Sequence, residues 1–392
     1  MDLNAFRAPA GRIIRVGAGE AAYHAFVPHP LPPAIELDAG LIRHLSAADR
    51  RLGELAGLCR AMPGFQLFVQ PFIRREAVLS SRIEGTTAGM ADLYAYEAGQ
   101  LPLFPGLRVP PESEIKEVLN YIDALQYGLE RLKTLPVSLR LIRELHARLM
   151  EGVRGGQAYP GEFRRSQNWI GPPGCLLREA TYVPPPVPEM HEALAALERY
   201  IHSEDRYPPL VRLGFIHYQF EAIHPFVDGN GRIGRLLLAL LLVAWDLLPQ
   251  PVLYLSAFFE RHRTEYYDAL LAVSTRSAWR DWLDFFLRGV AEEAGDAVTK
   301  ARRLQDLQTE WRAKLTAARA SGLAFRLLDR LFAAPILTIP QVQEALGVTY
   351  RTAKLQVEKL ADLGILEPVN GKKRGKVYMA RRVLVALGEM EG

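Results

Sequence analysis

Residues 236–245, LLLALLLVAW, are ten consecutive apolar residues bounded by Arg235 and Asp246. A helix that is apolar around its whole circumference has to be enclosed, either by lipid or by other protein segments. A membrane-spanning helix needs about 20 such residues, so this run is too short to cross a bilayer. The run therefore predicts a helix over residues 230–247 that lies buried at the centre of a mainly α domain.

The neighbouring sequence supplies amphipathic helices that could enclose this central helix. Apolar residues recur with helical periodicity between residues 47 and 97. The first forty residues contain proline clusters such as PHPLPP, so we expect an irregular arm there. Further helices are predicted over residues 112–132, 138–150, 190–202 and 210–221, with others following to about residue 320.

Residues 155–188 interrupt the helical pattern. Gly171-Pro172-Pro173-Gly174 is a turn signal, and it lies between two short β-prone runs, residues 168–170 and 181–183. We therefore expect a small β-hairpin within an otherwise helical domain.

Composition separates the end of the chain from the rest. The 392 residues carry a net charge of +4, and residues 321–392 alone hold 11 Lys and Arg against 7 Asp and Glu. The whole excess lies in the last fifth of the chain, which indicates a separate basic module. Cys59 and Cys175 are too few for a disulfide framework, and the N-terminus lacks the apolar core of a signal peptide. We expect a cytoplasmic protein that does not engage a membrane.

The stretch HPFVDGNGRIGR, residues 224–235, combines residue types that suit a phosphate site. Its Gly-Asn-Gly lies at the predicted start of the central helix, where unpaired backbone N–H groups and the helix dipole attract anions. Arg232 and Arg235 are three residues apart, so they share a face of that helix and could both reach phosphate oxygens. Each feature alone is more often a turn or a solvated surface, and their combination in twelve residues is what indicates a site.

Two further residues of this stretch suit phosphate chemistry. Asp228 offers a hard oxygen ligand for a magnesium ion that carries phosphates. His224, at the end of the preceding helix, is the residue type best able to accept a proton near neutral pH.

This stretch resembles the signature of Fic-domain proteins, HxFx(D/E)GNGRxxR, and matches it at every specified position. Similar text surrounds it in SSRIEGT, GEFR, YVPPP and FIHYQFEAIHPF, so that the resemblance extends from roughly residue 47 to residue 294. It implies a helical Fic fold and an enzyme that transfers AMP from ATP to a protein hydroxyl.

The resemblance also implies a role for each position of the signature. His224 would deprotonate the target hydroxyl, Asp228 would bind Mg²⁺, and Phe226 would anchor the loop from beneath. The phosphates of ATP would be held by Gly229, Asn230, Gly231, Arg232 and Arg235. The last of these would bind the γ-phosphate.

The segment SSRIEGT resembles the inhibitory motif of the same family, (S/T)xxxE(G/N), with Ser80 and Glu84 at its specified positions. In relatives, the glutamate pairs with the second arginine of the signature, which is Arg235 here. The resemblance therefore implies that Glu84 blocks the γ-phosphate position. Some relatives also use this glutamate to remove AMP, and the sequence leaves that reaction open.

Two other features would surround the nucleotide. The predicted hairpin, with Ile170, Thr181 and Tyr182, would act as a flap whose edge pairs with a target segment as an added strand. By resemblance, Tyr266 and Tyr267 would line the adenine pocket, although tyrosines at such positions more often pack in a core.

Residues 321–392 resemble the winged helix-turn-helix domains of bacterial regulators. Helices are predicted over residues 325–332, 339–346 and 350–363, with a turn at residues 347–349. The segment LEPVNGKKRGKVYMA would then form a two-stranded wing.

Such a module could bind DNA, mediate dimerisation or dock a target protein. In the first case its recognition helix would face the major groove and its wing would touch phosphates. The candidate DNA-binding residues are Tyr350, Arg351, Lys354, Lys373 and Arg374.

His217, Glu221 and His224 form an H-x3-E-x2-H pattern that could suggest a metalloenzyme. A di-iron bundle would need a second Glu-x-x-His, and a zinc hydrolase would need His-Glu-x-x-His. The sequence contains neither, so His217 and Glu221 are expected to support neighbouring site residues or to pack in the core.

We therefore predict a protein adenylyltransferase that uses ATP and Mg²⁺ and modifies a hydroxyl of a target protein or of itself. Residues 1–110 would form the arm and inhibitory helices, 111–300 the Fic domain, 301–320 a linker helix, and 321–392 the winged helix. The alternatives are a DNA-binding regulator with a nucleotide-sensing core, and transfer of another group such as UMP. We also expect a homodimer, for which the sequence specifies no interface.

Overall fold

The computed structural model describes residues 2–19, 22–99, 109–153, 159–369 and 375–390. Helices dominate these residues, and two small antiparallel sheets accompany them. Within the described ranges, no helix combines the length and apolar character that a membrane crossing requires.

The described helices and strands have the following bounds. The helices are α1 (Ala39–Ala61), α2 (Gln66–Ile83), α3 (Met90–Glu97), α4 (Glu112–Arg131), α5 (Leu139–Leu149), α6 (Val187–His202), α7 (Pro209–Ile223), α8 (Asn230–Ala244), α9 (Ser256–Arg261), α10 (Arg263–Arg276), α11 (Trp279–Ala317), α12 (Gly322–Ala333), α13 (Ile339–Leu346), α14 (Tyr350–Asp362) and α15 (Arg381–Leu387). The strands are β1 (Gly11–Val16), β2 (Tyr23–Pro28), β3 (Ile336–Thr338), β4 (Glu367–Pro368) and β5 (Val377–Met379).

The apolar helix predicted from residues 236–245 is α8, and it lies at the centre of the helical domain. Residues 232–242 are all buried, and α8 packs against α2, α4, α5 and α7. Enclosure by protein on every side explains why the segment carries no polar face. The helix ends at Ala244, three residues before the predicted end.

The prediction of an irregular N-terminal arm was wrong. β1 and β2 pair antiparallel from Gly11↔Pro28 to Val16↔Tyr23. The only proline within them is Pro28, the last residue of β2, so no proline removes a donor from inside the ladder. The backbone N–H of Phe26 also donates to Val183 O at 2.9 Å, which places β2 against the predicted flap.

The predicted hairpin is smaller than expected. Its two arms meet in a single antiparallel bridge, Ile170↔Tyr182, rather than in a ladder. The prolines at positions 172 and 173 have no N–H to donate, so pairing cannot continue toward the turn. The flap is therefore two short arms held together at one point.

The chain from residue 322 to residue 390 has the order helix, strand, helix, helix, two strands and helix. Its sheet has the strand order β3-β5-β4. The three helices predicted from the sequence correspond to α12, α13 and α14, and Gly347 ends α13 at a φ of 65°. The winged-helix assignment stays a prediction, and Lys373 and Arg374 lie outside the described residues.

The 39-residue helix α11 connects this region to the rest of the protein. It passes from residue 300 to residue 301, a predicted domain boundary, without a break. It packs on α1, α7, α9 and α10 in the helical domain, and on α12 and α15 beyond it.

Candidate active site

His224 ends helix α7 in a left-handed conformation, with φ 49° and ψ 61°. A non-glycine residue adopts this region at an energetic cost, so the surrounding structure has to hold it there. The backbone N–H of His224 completes the helix by donating to Phe220 O at 3.1 Å. The turn directs the chain out of α7 and into the loop before α8.

Three side chains from the flap region hold the last turn of α7 and this residue in place. Arg164 Nε donates to His224 O at 3.0 Å, and Asn168 Nδ2 reaches the same oxygen at 3.4 Å. The Tyr182 hydroxyl donates to Ala222 O at 2.8 Å. Carbonyls at the end of a helix have no partners within it, so these contacts satisfy the helix and fix the strained turn together.

Arg164 is buried, with 1% of its surface exposed, and its guanidinium also donates to Ser166 O and Pro185 O. Burial lowers the pKa of Arg164 to about 10, so it remains charged at neutral pH. Its positive charge lies close to His224, where it disfavours a second cation.

The imidazole of His224 is therefore neutral at physiological pH. Burial first, and then the Arg164 charge, lower the pKa of His224 to about 4, against smaller raising effects that include the Glu221 backbone and Glu84. A neutral histidine keeps a lone pair with which to accept a proton.

The loop between α7 and α8 is shaped from within. Asn230 accepts from the backbone N–H of Phe226 at 2.8 Å and donates to Phe226 O at 2.9 Å. The Phe226 ring is fully buried and stacks on His146 with 3.7 Å between centroids. The Asn230 side chain therefore fixes the shape of the loop through Phe226.

His146 positions this loop from below. Gly161 N–H donates to His146 Nδ1 at 2.9 Å, so Nε2 carries the proton and donates to Asp228 O at 3.0 Å. Burial lowers the pKa of His146 to about 4 and keeps this arrangement neutral. His146 of α5 thereby holds the backbone of Asp228 in position.

Arg235 binds the end of helix α2 across the site. Its Nη2 donates to Glu84 Oε1 at 2.7 Å and to Ser80 O at 2.9 Å, and its Nε donates to Ser80 Oγ at 2.8 Å. The Arg235 side chain is only 2% exposed, whereas that of Glu84 is 33% exposed. The structure thus brings together the two segments that the sequence placed 151 residues apart.

The Glu84 carboxylate occupies an anion position at the start of α8. A side chain at Gly231 would collide with Glu84 Oε1, so the glycine permits the close approach. Burial alone would raise the pKa of Glu84, but the charge and hydrogen bond of Arg235 lower it overall. The carboxylate is therefore ionised and lies beside the Arg235 guanidinium at the start of α8, which is the end of a helix that favours an anion.

Arg232 is engaged by two carboxylates other than Glu84. Its Nη1 lies 3.3 Å from Glu117 Oε2 and its Nη2 lies 3.7 Å from Asp228 Oδ1, and its side chain is 4% exposed. The predicted contact between Arg232 and phosphates would need these partners to be exchanged. In the structure, Arg232 joins α4 to the signature loop through these two contacts.

Asp228 offers one carboxylate beside the loop, with half of its side chain exposed. Its Oδ1 accepts from Gly229 N–H at 2.5 Å, which orients the carboxylate at the entrance to α8. A single accessible carboxylate suits Mg²⁺, which retains several waters and shares its remaining positions with phosphates.

A cavity of about 520 Å³ lies between α7, α8, α10 and the flap. Asp228, Gly229, Asn230 and Arg232 are outside its lining. The predicted site residues that do line it are Glu84, Ile170, Thr181, Tyr182, His224, Gly231, Arg235, Tyr266 and Tyr267.

The two predicted adenine-pocket tyrosines differ in environment. Tyr266 is buried and its hydroxyl pairs with His217 Nε2 at 2.8 Å, while Tyr267 is 43% exposed. Burial lowers the pKa of His217 to about 3, so this histidine is a neutral support for Tyr266. Farther along the wall, the hydroxyls of Tyr218 and Ser274 pair at 3.0 Å.

Glu221, for which the sequence predicts a supporting or packing role, is a further functional candidate. It lines the cavity one turn before His224, and its Oε1 is buried without a hydrogen-bond partner. Burial raises the pKa of Glu221 to about 7, with Arg235 lowering it and Glu84 raising it. An unsatisfied buried carboxyl oxygen in a cavity wall indicates a group that can meet a ligand.

Four other supporting residues were also missed by the analysis of the sequence. Arg164 had a signal, because it lies in the family-like segment GEFR, but the segment alone gave it no role. The remaining three, His146, Asn168 and Glu117, act through partners far away in the chain, and no local pattern marks them.

Matches to family descriptions fall on these same segments. Residues 42–130 match the Fic/DOC family N-terminal domain, and residues 136–242 match the Fic/DOC family domain. Together the two matches cover half of the chain. The chain belongs to the Fic/DOC family.

The curated relatives of this Fic/DOC chain are distant. It is 32% identical over 133 residues to the protein adenylyltransferase Fic of Drosophila persimilis, which is 33% of this chain and 24% of that protein. It is 28% identical over 204 residues to the protein of the same name from Drosophila mojavensis, covering 51% of this chain and 38% of that protein. The chain thus spans less than two fifths of the length of either relative.

Two solved structures share the fold. A Fic family protein from Desulfovibrio desulfuricans aligns with a TM-score of 0.57 at 20% identity, over 89% of this chain and 98% of that one. A Fic domain-containing signalling protein from Bacteroides thetaiotaomicron aligns with a TM-score of 0.51 at 17% identity, over 65% and 97%. At these identities the likeness concerns the Fic fold alone.

Proposed function

We propose that this protein transfers AMP from ATP to a hydroxyl group of a target protein or of itself. The observation that carries the proposal is the meeting of His224, Arg235 and Glu84 around one cavity in a Fic/DOC chain. The relatives named protein adenylyltransferase Fic support the same reaction class.

In this reaction the target oxygen attacks the α-phosphorus of ATP, its proton passes to the neutral His224, and pyrophosphate leaves. The start of α8 at Gly231 would hold the phosphates through backbone N–H groups, and Arg235 would hold the γ-phosphate. Asp228 would hold Mg²⁺, which neutralises phosphate charge when bound. The protein would then act mainly by positioning and electrostatic stabilisation.

Glu84 would be an intramolecular brake on this reaction. In the structure it occupies the guanidinium that the γ-phosphate would use, and it adds a negative charge next to the phosphate position. ATP could adopt the productive pose only after that ion pair opens. De-AMPylation by the same site, a cytoplasmic location and a homodimer stay predictions.

Intact-mass measurement of the Glu84→Gly variant after incubation with ATP and Mg²⁺ tests the transferred group. A mass increase of one adenylyl group supports AMP transfer, whereas a phosphate or another nucleotide group would replace it with a different transfer reaction. An unmodified Glu84→Gly chain, incubated alone and with a mixture of target proteins, would contradict the proposal and favour a nucleotide-sensing regulator.

ATP affinity is expected to fall as pH rises through neutrality, because Glu221 gains charge. With a pKa of about 7, its carboxyl is mostly neutral near pH 6 and mostly ionised near pH 8, where it repels the triphosphate. In the natural chain, we expect binding roughly fivefold weaker at the higher pH. Titration calorimetry with a non-hydrolysable ATP analogue measures the effect.

The matched variants are Glu221→Gln, which should flatten this pH dependence, and Asp268→Asn, which removes another carboxylate of the cavity lining and should leave the slope unchanged. Glu76 has a pKa that burial also raises to about 7, so a small residual slope is expected from it. An unaltered slope in Glu221→Gln would show that Glu221 does not face the nucleotide.

We also propose that residues 322–390 form a winged helix that binds duplex DNA through α14. The specific observation is the outer face of α14, where Tyr350, Arg351 and Lys354 are exposed at the start of the helix. Thr349 caps that helix, because its side chain accepts from the backbone N–H of Thr352. The net charge of +4 in residues 321–392 has the sign that DNA requires.

Retention on duplex DNA at increasing salt concentration tests this second proposal. Phosphate contacts release counterions, so the logarithm of the affinity should fall linearly with the logarithm of the salt concentration. Arg351→Ala and Lys354→Ala should each lower the slope by about 1 if the residue contacts a phosphate. Absence of retention at low salt would contradict DNA binding and leave dimerisation or docking of a target protein as the roles of this module.

A further inference from the structure

Helix α2 carries the inhibitory segment at its C-terminal end and presents two adjacent faces. Glu76, Ser80 and Glu84 are spaced four apart, so they follow one face toward the active site. Phe68 and Arg75 are spaced seven apart, and they follow a neighbouring face. That second face is covered by the chain beyond α11.

We use the name C-terminal unit for residues 322–369 and 375–390. Its first helix packs directly on α2, where the rings of Phe332 and Phe68 meet edge to face at 5.3 Å. Both phenylalanines are fully buried. Phe332 also packs against Trp311 of α11 at 5.8 Å, so α12 joins the N-terminal half of α2 to α11.

The middle of α2 is held by charge. Arg75 Nε lies 3.3 Å from Glu389 Oε1, just beyond α15, and only 17% of the Arg75 side chain is exposed. The same guanidinium lies 3.7 Å from Asp296 and 3.9 Å from Glu293 of α11. The negative charge of Glu389 also acts on Arg82, which lies two residues before Glu84.

The C-terminal unit also contacts the helix that follows Glu84. Gln341 Nε2, at the start of α13, donates to Glu97 O at the end of α3 with a distance of 2.7 Å. The inhibitory glutamate thus lies between two helices, α2 before it and α3 after it, that touch the same C-terminal unit.

We propose that the C-terminal unit positions Glu84 on Arg235, with Phe332 and Glu389 as the positioning residues. Close-packed helices move as bodies with discrete arrangements, so the end of α2 cannot leave Arg235 without disturbing its contacts with the unit. This inference rests on the proposed function and adds that the strength of the brake is set from outside the Fic domain.

The test is a double-mutant cycle between the C-terminal unit and Glu84. Glu389→Gln and Phe332→Leu are each made in the natural chain and in Glu84→Gly, and initial rates of labelled AMP incorporation are measured. In the natural chain we expect each substitution to raise the rate about threefold or more. In the Glu84→Gly chain, where no brake remains, the same substitutions should leave the rate unchanged.

Asp329→Asn is the matched control, because it removes an ion pair with Arg312 that joins α12 to α11 without reaching α2. It should leave the rate unchanged in both chains, and melting temperatures identify any variant that has merely unfolded. An active Glu84→Gly chain with no rate change in the two natural-chain variants, or with equal changes in both backgrounds, would overturn this inference alone. An inactive Glu84→Gly chain would overturn the proposed function and this inference with it.

Discussion

Replacing Glu84 with glycine should raise AMP transfer by roughly 10- to 100-fold. In the natural chain, the guanidinium of Arg235 donates a charge-assisted hydrogen bond of 2.7 Å to Glu84, and the substitution removes this bond. Such a bond is worth about 1.5–3 kcal/mol, and ATP has to displace it before the γ-phosphate can bind productively. Incorporation of labelled AMP into the chain itself, followed over time at fixed ATP concentration, measures the gain.

Two further variants test the ion pair between Glu84 and Arg235. Glu84→Gln keeps a hydrogen-bond acceptor but loses the charge, so its rate should lie between those of the natural chain and Glu84→Gly. Arg235→Ala in the Glu84→Gly chain should return the rate to a low value, because the γ-phosphate loses its partner. Equal rates for Glu84→Gly and the natural chain would show that the ion pair does not limit transfer.

Replacing His224 with alanine in the Glu84→Gly chain should abolish measurable AMP transfer. General-base catalysis contributes about 10²- to 10⁴-fold, and no second imidazole lines the cavity within the residues that the structure describes. Binding of an ATP analogue should persist, because the phosphates are held by α8 and Arg235. The measurement pairs the transfer rate with the dissociation constant of the analogue in the same variant.

His191→Ala provides the matched histidine control, since His191 lies on the exposed side of α6 and should tolerate the change. The pH dependence gives an independent check. Because the pKa of His224 is lowered to about 4, its neutral form predominates above about pH 5 and is lost only below that. Transfer by His224→Ala at the rate of the parent chain would remove this residue from the mechanism.

Much of the site could be predicted because its parts are local in sequence. The signature loop lies in twelve consecutive residues, and the apolar character of α8 required it to be central. The hydrogen-bond partners of the residues inside the site could not be predicted in this way. The engagement of Arg232 by Glu117 joins residues 115 positions apart, and the Asn230 side chain turns back onto Phe226. Nothing in the composition of the loop distinguishes such internal bonds from contacts with a ligand.

The errors in strand prediction have a common physical origin. Prolines near Pro28 suggested an irregular arm, yet they lie beyond the ladder of β1 and β2 and remove no donor from its interior. Prolines 172 and 173, by contrast, lie inside the predicted hairpin and limit it to one bridge. Whether a proline disrupts a strand depends on where its missing N–H would have pointed. That direction is known only once the register of the strands is known.

The strand β2 also restricts how a target can approach. Because Phe26 takes Val183 O, one side of the flap is already occupied by the protein's own backbone. Ile170 pairs its backbone with Tyr182, and its neighbours Trp169 and Gly171 line the cavity beside this bridge. If a target segment pairs with the free side of the flap as an added strand, that segment has to be extended, so we expect acceptor hydroxyls in loops or tails rather than in rigid helices.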